Sequence, residues 1–134
     1  MKYMLLCYDD DEAWARAGET ALRQAMDEAV ELAHQLEANG RYLMAAPLHP
    51  VSTATRVRVR ARKRLVTDGP FAETREHLGG FYLIDAEVLD EAIGIAARHP
   101  GARLGTVEVR PVMELPGLPA GLSRTRPTST GRTP

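Results

Sequence analysis

The period of the apolar residues changes along the chain in an order that constrains the fold more than any other feature. Residues 1–8 form a short apolar run, typical of a buried strand, and the three aspartates that follow predict an acidic loop. From Thr20 to Asn39 the apolar residues recur at steps of three and four, which predicts a helix. Thr20 suits its N-cap, and Gly40 suits its left-handed end. Residues 41–48 then predict a second strand.

The second half of the chain repeats the order of strand, helix and strand, over residues 80–85, 87–98 and 106–113. Between the halves, arginine alternates with valine over residues 56–60, and a turn near 62–63 leads to another apolar stretch, which predicts a β-hairpin. Strand–helix–strand occurring twice is the ferredoxin-like βαββαβ plan. The predicted fold class is therefore α+β, with an inserted β-hairpin.

Two of the predicted strands are apolar on both faces. Over residues 3–8 and again over residues 81–84, the side chains that point to either side of the strand are apolar. Two helices can cover only one face of a four-stranded antiparallel sheet, so the other face also needs a cover. A second copy of the chain packed sheet to sheet is the simplest cover, and we expect a homodimer.

Composition excludes several classes of protein. Seventeen basic and eighteen acidic residues leave the chain near neutral, and the arginine-rich hairpin has no interleaved aromatic residues, so we do not expect nucleic-acid binding. No apolar run approaches the roughly 20 residues that a membrane helix needs, and the N-terminus does not resemble a signal peptide. A single cysteine, Cys7, predicts a reduced, buried thiol in a cytoplasmic protein. No metal or cofactor motif is present, and we expect neither.

Two residues are candidates for acid–base catalysis. Asp68 opens the turn Asp68-Gly69-Pro70-Phe71 after a predicted strand, where a carboxylate can serve as a base or form turn hydrogen bonds. Phe71 is expected to anchor this turn in the core. His49 stands between two prolines on a stiff segment that would position an imidazole, although a loop histidine is more often simply solvated.

A polar segment follows the same turn. Clustered polar groups after a rigid anchor commonly line a pocket, and a solvated loop is the alternative for these residues. Trp14 after the acidic run, and Tyr82 in the strand, are expected to complete the pocket. The pocket-lining candidates are thus Glu73, Thr74, Arg75, Glu76, His77, Trp14 and Tyr82.

Residues 68–85 read DGPFAETREHLGGFYLID, which closely resembles the signature of the DGPF (DGPFAETKE) proteins, a branch of the YCII-related superfamily. The opening MKYMLLCY, the APLHP stretch, the AARHP helix end and the closing VEVRPVME resemble this family as well. The resemblance covers residues 1–115. Residues 116–134 are rich in Pro, Gly, Ser, Thr and Arg, and we predict a disordered tail.

The resemblance implies ferredoxin-like subunits that form a dimeric α+β barrel. It implies a small-molecule domain, and by analogy of fold an enzyme that needs no cofactor. Some relatives are encoded beside sigma factors, so a non-catalytic regulatory or sensing module is the alternative. A histidine–aspartate pair is proposed as catalytic in the wider superfamily. This chain has no histidine near the start of its first predicted helix, and His49 is the nearest substitute.

Overall fold

The structure is a computed structural model that describes residues 1–119 and residue 121. The tail that the sequence predicts over residues 116–134 falls largely outside the described residues, so its disorder stays a prediction. No helix among the described residues is long and apolar enough to span a membrane.

A four-stranded antiparallel sheet forms the centre of the molecule. Its strands are β1 (Lys2–Asp10), β2 (Tyr42–Pro47), β5 (Glu76–Asp85) and β6 (Thr106–Pro111). Their spatial order is β2-β5-β1-β6, which is compatible with a ferredoxin-like fold. A separate two-stranded hairpin joins β2 to β5 along the chain. The strands of the hairpin are β3 (Thr55–Arg60) and β4 (Lys63–Asp68).

Four helices complete the described fold: α1 (Asp11–Ala17), α2 (Glu19–Ala38), α3 (Leu89–Arg98) and α4 (Gly101–Leu104). The longer two, α2 and α3, pack on the same face of the sheet and enclose one core with it. Leu5 and Ile84 of the central strands are completely buried there, against Leu36 of α2 and Ala92 of α3. The element order that the periodicity predicts is confirmed.

The acidic loop predicted after the first strand is wrong, because Asp9 and Asp10 end β1 and Asp11 begins α1 directly. Asp10 caps α1, because its Oδ1 accepts a hydrogen bond of 3.1 Å from the backbone N–H of Ala13. Asp11 and Glu12 then lie in the first turn, where carboxylates stabilise the positive end of the helix dipole. Gly18, with a φ of +96°, separates α1 from α2, so α2 begins before Thr20 and the predicted cap is also wrong.

The predicted hairpin is confirmed, with its turn one residue earlier than expected. Ala61 and Arg62 both have positive φ, as the two central residues of a type I′ turn require. Val57 and Val59 are exposed, so the hairpin adds nothing to the core. Phe71 is 75% exposed, and the prediction that it anchors the turn in the core is wrong.

The sheet face opposite α2 and α3 is apolar and has no helix on it among the described residues. Met4, Leu6, Phe81 and Leu83 lie on this face and are only half-buried. Met44 of the neighbouring strand extends the same patch and is exposed. The structure therefore retains the uncovered apolar face that the sequence predicts.

Candidate functional site

A cavity of about 1050 Å³ lies between α2 and the sheet, beside the edge strand β2. We call it the α2 cavity. Its volume is just above the usual range for small-molecule sites, about 300–1000 Å³. Its lining is mostly apolar, with several polar groups among the lining residues. A cavity of this size and lining is the strongest candidate for a functional site in the described part of the chain.

Small residues on opposing elements explain the space. The α2 side of the cavity contributes Ala25, Ala29 and Ala33, and the sheet side contributes Ala45, Ala46, Gly79 and Gly80. Because none of these side chains extends beyond a methyl group, the helix and the sheet cannot fill the volume between them. Leu22, Met26 and Val30 of α2 line the same cavity and remain exposed.

One corner of the cavity brings together polar groups from distant parts of the chain. The Cys7 Sγ lies 3.8 Å from the His99 Nε2, across 92 positions of sequence. Tyr82 packs edge-on against His99, with ring centroids 5.3 Å apart, and its hydroxyl donates a 2.6 Å hydrogen bond to the Ala29 carbonyl. Asp9 lines this corner as well.

His99 is held as a neutral ring in one tautomer. Its Nδ1 accepts a 3.0 Å hydrogen bond from the Gly101 N–H, so the proton of the neutral imidazole lies on Nε2, facing Cys7. Burial, reinforced by the positive charge of Arg103, lowers the pKa of His99 below its ordinary value of 6.5. His99 therefore acts here as a hydrogen-bond donor at neutral pH.

The Cys7 thiol remains protonated. Burial, and secondly the negative charge of Asp9, raise its pKa to about 12. The thiolate is the reactive form of cysteine, and the adjacent His99 nitrogen already carries a proton, so no base is positioned to generate it. Cys7 is a buried structural thiol, as the sequence predicts.

The surroundings of Asp9 disfavour its charged form. Burial raises its pKa first, and the negative charges of Asp11 and Glu76 raise it further. Its neighbour Asp10 differs, because Arg75 donates a 3.0 Å hydrogen bond to the Asp10 Oδ2. The pKa of Asp10 is lowered first by the hydrogen bond from the Ala13 N–H at the start of α1 and then by this contact with Arg75.

The structure brings only two of the predicted site residues to this cavity. Trp14 of α1 and Tyr82 of β5 line it. His49 is exposed just beyond the lining residue Leu48, and Asp68 is exposed at the end of β4, so neither lines the α2 cavity. The catalytic role that the sequence predicts for this pair stays a prediction.

The polar segment that the sequence predicts to line a pocket lies beside the C-terminal end of β1. None of its residues belongs to the lining of the α2 cavity. Glu73, Thr74 and Arg75 precede β5, whereas Glu76 and His77 belong to it. The Thr74 hydroxyl donates a 2.7 Å hydrogen bond to the Glu76 carbonyl and lies 3.4 Å from the His77 Nδ1. Arg75 contacts β1 through its bond to Asp10, and Glu76 and His77 pair with Asp10 and Asp9 of that strand.

Sequence reasoning did not identify Asp9 and His99 as site residues. The sequence alone favours a role for His99 in complementing the dipole at the end of a helix, and it places Asp9 in a loop. Their common signal is weak: each lies where a regular element meets a turn, the usual position of functional side chains. Only the packing of α4 against β1 shows that the two positions meet.

Comparison with known proteins assigns the family. Residues 1–116 match the YCII-related domain. The chain is also 36% identical over 114 residues to an uncharacterized protein of Rhizobium meliloti (strain 1021), an alignment that covers 84% of this chain and 92% of that relative. The chain therefore belongs to the YCII-related domain family.

Proposed function

We propose that this protein binds a small organic molecule in the α2 cavity. The observation that carries the proposal is the cavity itself, which combines a volume of about 1050 Å³ with an apolar wall and a polar corner. Ligand sites commonly have this composition, because apolar walls supply affinity and a few polar groups fix the orientation of the ligand. The pocket differs from the polar one expected near Asp68, which remains a separate prediction.

The chemistry of the corner supports binding more directly than covalent catalysis. Cys7 is protonated and His99 is neutral, so neither offers a nucleophile or a strong base. Asp9, with its raised pKa, is the group suited to exchange a proton with a ligand. An enzyme without a cofactor would use Asp9 in this way, whereas a sensing module would bind the same ligand without turnover.

We also propose that the protein forms a homodimer, in which the sheets of the two copies pack together as an α+β barrel. Support comes from the apolar sheet face opposite α2 and α3, where Met4, Leu6, Phe81 and Leu83 have no helix over them among the described residues. Exposed apolar patches of this kind are typical of interfaces. Within the family, the segment over residues 68–85 supports assignment to the DGPF branch.

Binding is tested with N-phenyl-1-naphthylamine, a neutral probe whose emission rises in apolar sites. Val30 lines the cavity with 58% of its surface exposed, so Val30→Trp fills part of the space without disturbing the core. We expect this variant to bind the probe at least roughly tenfold more weakly than the unmodified protein, a difference of about 1.4 kcal/mol.

Val88→Trp is the matched control. Val88 is 59% exposed and does not line the cavity, so the same substitution there should leave probe affinity unchanged. Absence of an emission increase in the unmodified protein, or equal losses in the two variants, would contradict a ligand site in the α2 cavity.

A further inference from the structure

We propose that the ligand of the α2 cavity is an organic cation, an ammonium group on an apolar body, held by the Asp9 carboxylate. This inference rests on the proposed function and adds the chemical class of the ligand.

The charged residues that line the cavity have one sign. Asp9, Asp11, Glu19 and Glu37 contribute carboxylates, and no lysine or arginine belongs to the lining in the described part of the chain. Of the two lining histidines, His99 adds no positive charge at neutral pH, because burial lowers its pKa below 6.5. A carboxylate-lined cavity favours a positive ligand and repels an anionic one.

Nearby basic side chains are already engaged with other carboxylates. Arg75 contacts Asp10 at 3.0 Å, and Arg103 contacts Glu28 at 2.8 Å. Within residues 1–119, neither a hydrogen bond nor an ion pair reaches the Asp9 carboxylate. Its close charged neighbours, Asp11 and Glu76, are acidic.

Glu76 adds to the same imbalance. Its Oε1 is buried and has no hydrogen-bond partner among the residues that the structure describes. The carboxylates of Asp9, Asp11 and Glu76 thus interact near the C-terminal end of β1. In the described part of the chain, no basic side chain forms an ion pair with Asp9. A ligand cation beside Asp9 would relieve this repulsion, and in a partly buried site such an interaction is stronger than in bulk water.

The remaining lining suits the body and the charge of such a ligand. Trp14, Tyr42 and Tyr82 provide aromatic rings, whose faces attract ammonium groups. Between Leu22 and Ala33, the residues of α2 that line the cavity are all apolar. A metal ion fits less well, because no group of three His, Cys, Asp or Glu side chains in the described region is arranged to hold one.

The test uses three probes with one body and different head groups: 4-phenylbutylamine, 4-phenylbutan-1-ol and 4-phenylbutyrate. Trp14 lies in the cavity wall and is the single tryptophan of the chain, so its fluorescence reports binding. We expect the amine to bind about tenfold more tightly than the alcohol, and the carboxylate to bind most weakly.

Asp9→Asn keeps the size of the side chain and removes its charge. We expect it to weaken amine binding by about tenfold and to leave alcohol binding unchanged, which also shows that the variant is folded. Asp27→Asn, an exposed position of α2 outside the cavity lining, is the matched control and should change neither affinity.

The outcomes separate the two proposals. Equal binding of amine and alcohol, tighter binding of the carboxylate, or an amine preference that survives in Asp9→Asn would each overturn the cation inference while leaving the ligand site in place. Failure of all three probes to bind the unmodified protein would overturn both proposals.

Discussion

Substitution of Gly79 by alanine should weaken ligand binding at the polar corner of the α2 cavity while leaving the free energy of unfolding nearly unchanged. A Cβ built on Gly79 would overlap the Asp9 carboxylate, contacting its Oδ2 and lying 2.8 Å from its Cγ. Gly79 has no positive φ, so alanine fits the backbone there. The clash is with the end of a short side chain, which can rotate away. We therefore expect Gly79→Ala to fold and to displace the Asp9 carboxylate.

The magnitude follows from two opposing effects. Forcing Asp9 from its present rotamer costs about 0.5–1.5 kcal/mol. Replacing glycine by alanine restricts the unfolded chain and stabilises the fold by about 0.4–1 kcal/mol. The free energy of unfolding should therefore change by less than about 1 kcal/mol. Affinity for 4-phenylbutylamine should fall by about tenfold, because the carboxylate no longer faces the ligand.

Gly80→Ala is the adjacent comparison. Its Cβ would lie 2.9 Å from the Ala46 carbonyl oxygen and 3.1 Å from the Pro47 Cα, which are backbone atoms of the paired strand β2. Backbone cannot rotate away, so the strands must separate. Overpacking of this kind costs about 1–3 kcal/mol.

Gly94→Ala is the reference for a site with open space. Gly94 lies in α3, where nothing is within 4 Å of an added Cβ, and the variant should be more stable by about 0.5–1 kcal/mol. Urea denaturation followed by circular dichroism gives the three values. The proposal that the added Cβ displaces a ligand-binding Asp9 carboxylate is wrong if Gly79→Ala loses as much stability as Gly80→Ala, or if it retains full affinity for the amine.

Two further predictions concern assembly and pH. Light scattering should give the mass of a dimer, and a monomer mass for the unmodified protein would contradict the proposed homodimer. Leu83→Lys, on the uncovered sheet face, should give a folded monomer. Leu5→Lys, in the completely buried core, should unfold the chain. The His99 imidazole should titrate in NMR below its ordinary pKa of 6.5. As the pH falls, the unfolded chain protonates His99 before the folded protein does. The contribution of neutral His99 to stability is therefore present above pH 6.5 and is lost as the pH falls through the lowered pKa. A His99 titration at or above pH 6.5 would refute the argument that burial lowers its pKa.

The order of the elements follows from local sequence. A strand period over residues 1–8, a helix period before the Asn39-Gly40 stop and alternation around Val57 each depend on neighbours a few positions apart. The structure confirms each of these elements, and Gly40 has the predicted left-handed φ, +71°. The local signal fails at α1, because a short, charged helix with little apolar periodicity depends on its Asp10 cap.

Tertiary structure alone decides the candidate site. The α2 cavity exists because alanines of α2 face alanines and glycines of β2 and β5, and a periodic pattern shows which face is apolar without showing which distant face meets it. His99 meets Cys7 across 92 positions, and Asp9 reaches the same corner because α4 packs on β1. Phe71, apolar in sequence, is exposed because the hairpin stands outside the core. Local sequence determines the elements, whereas long-range packing determines which side chains share a cavity.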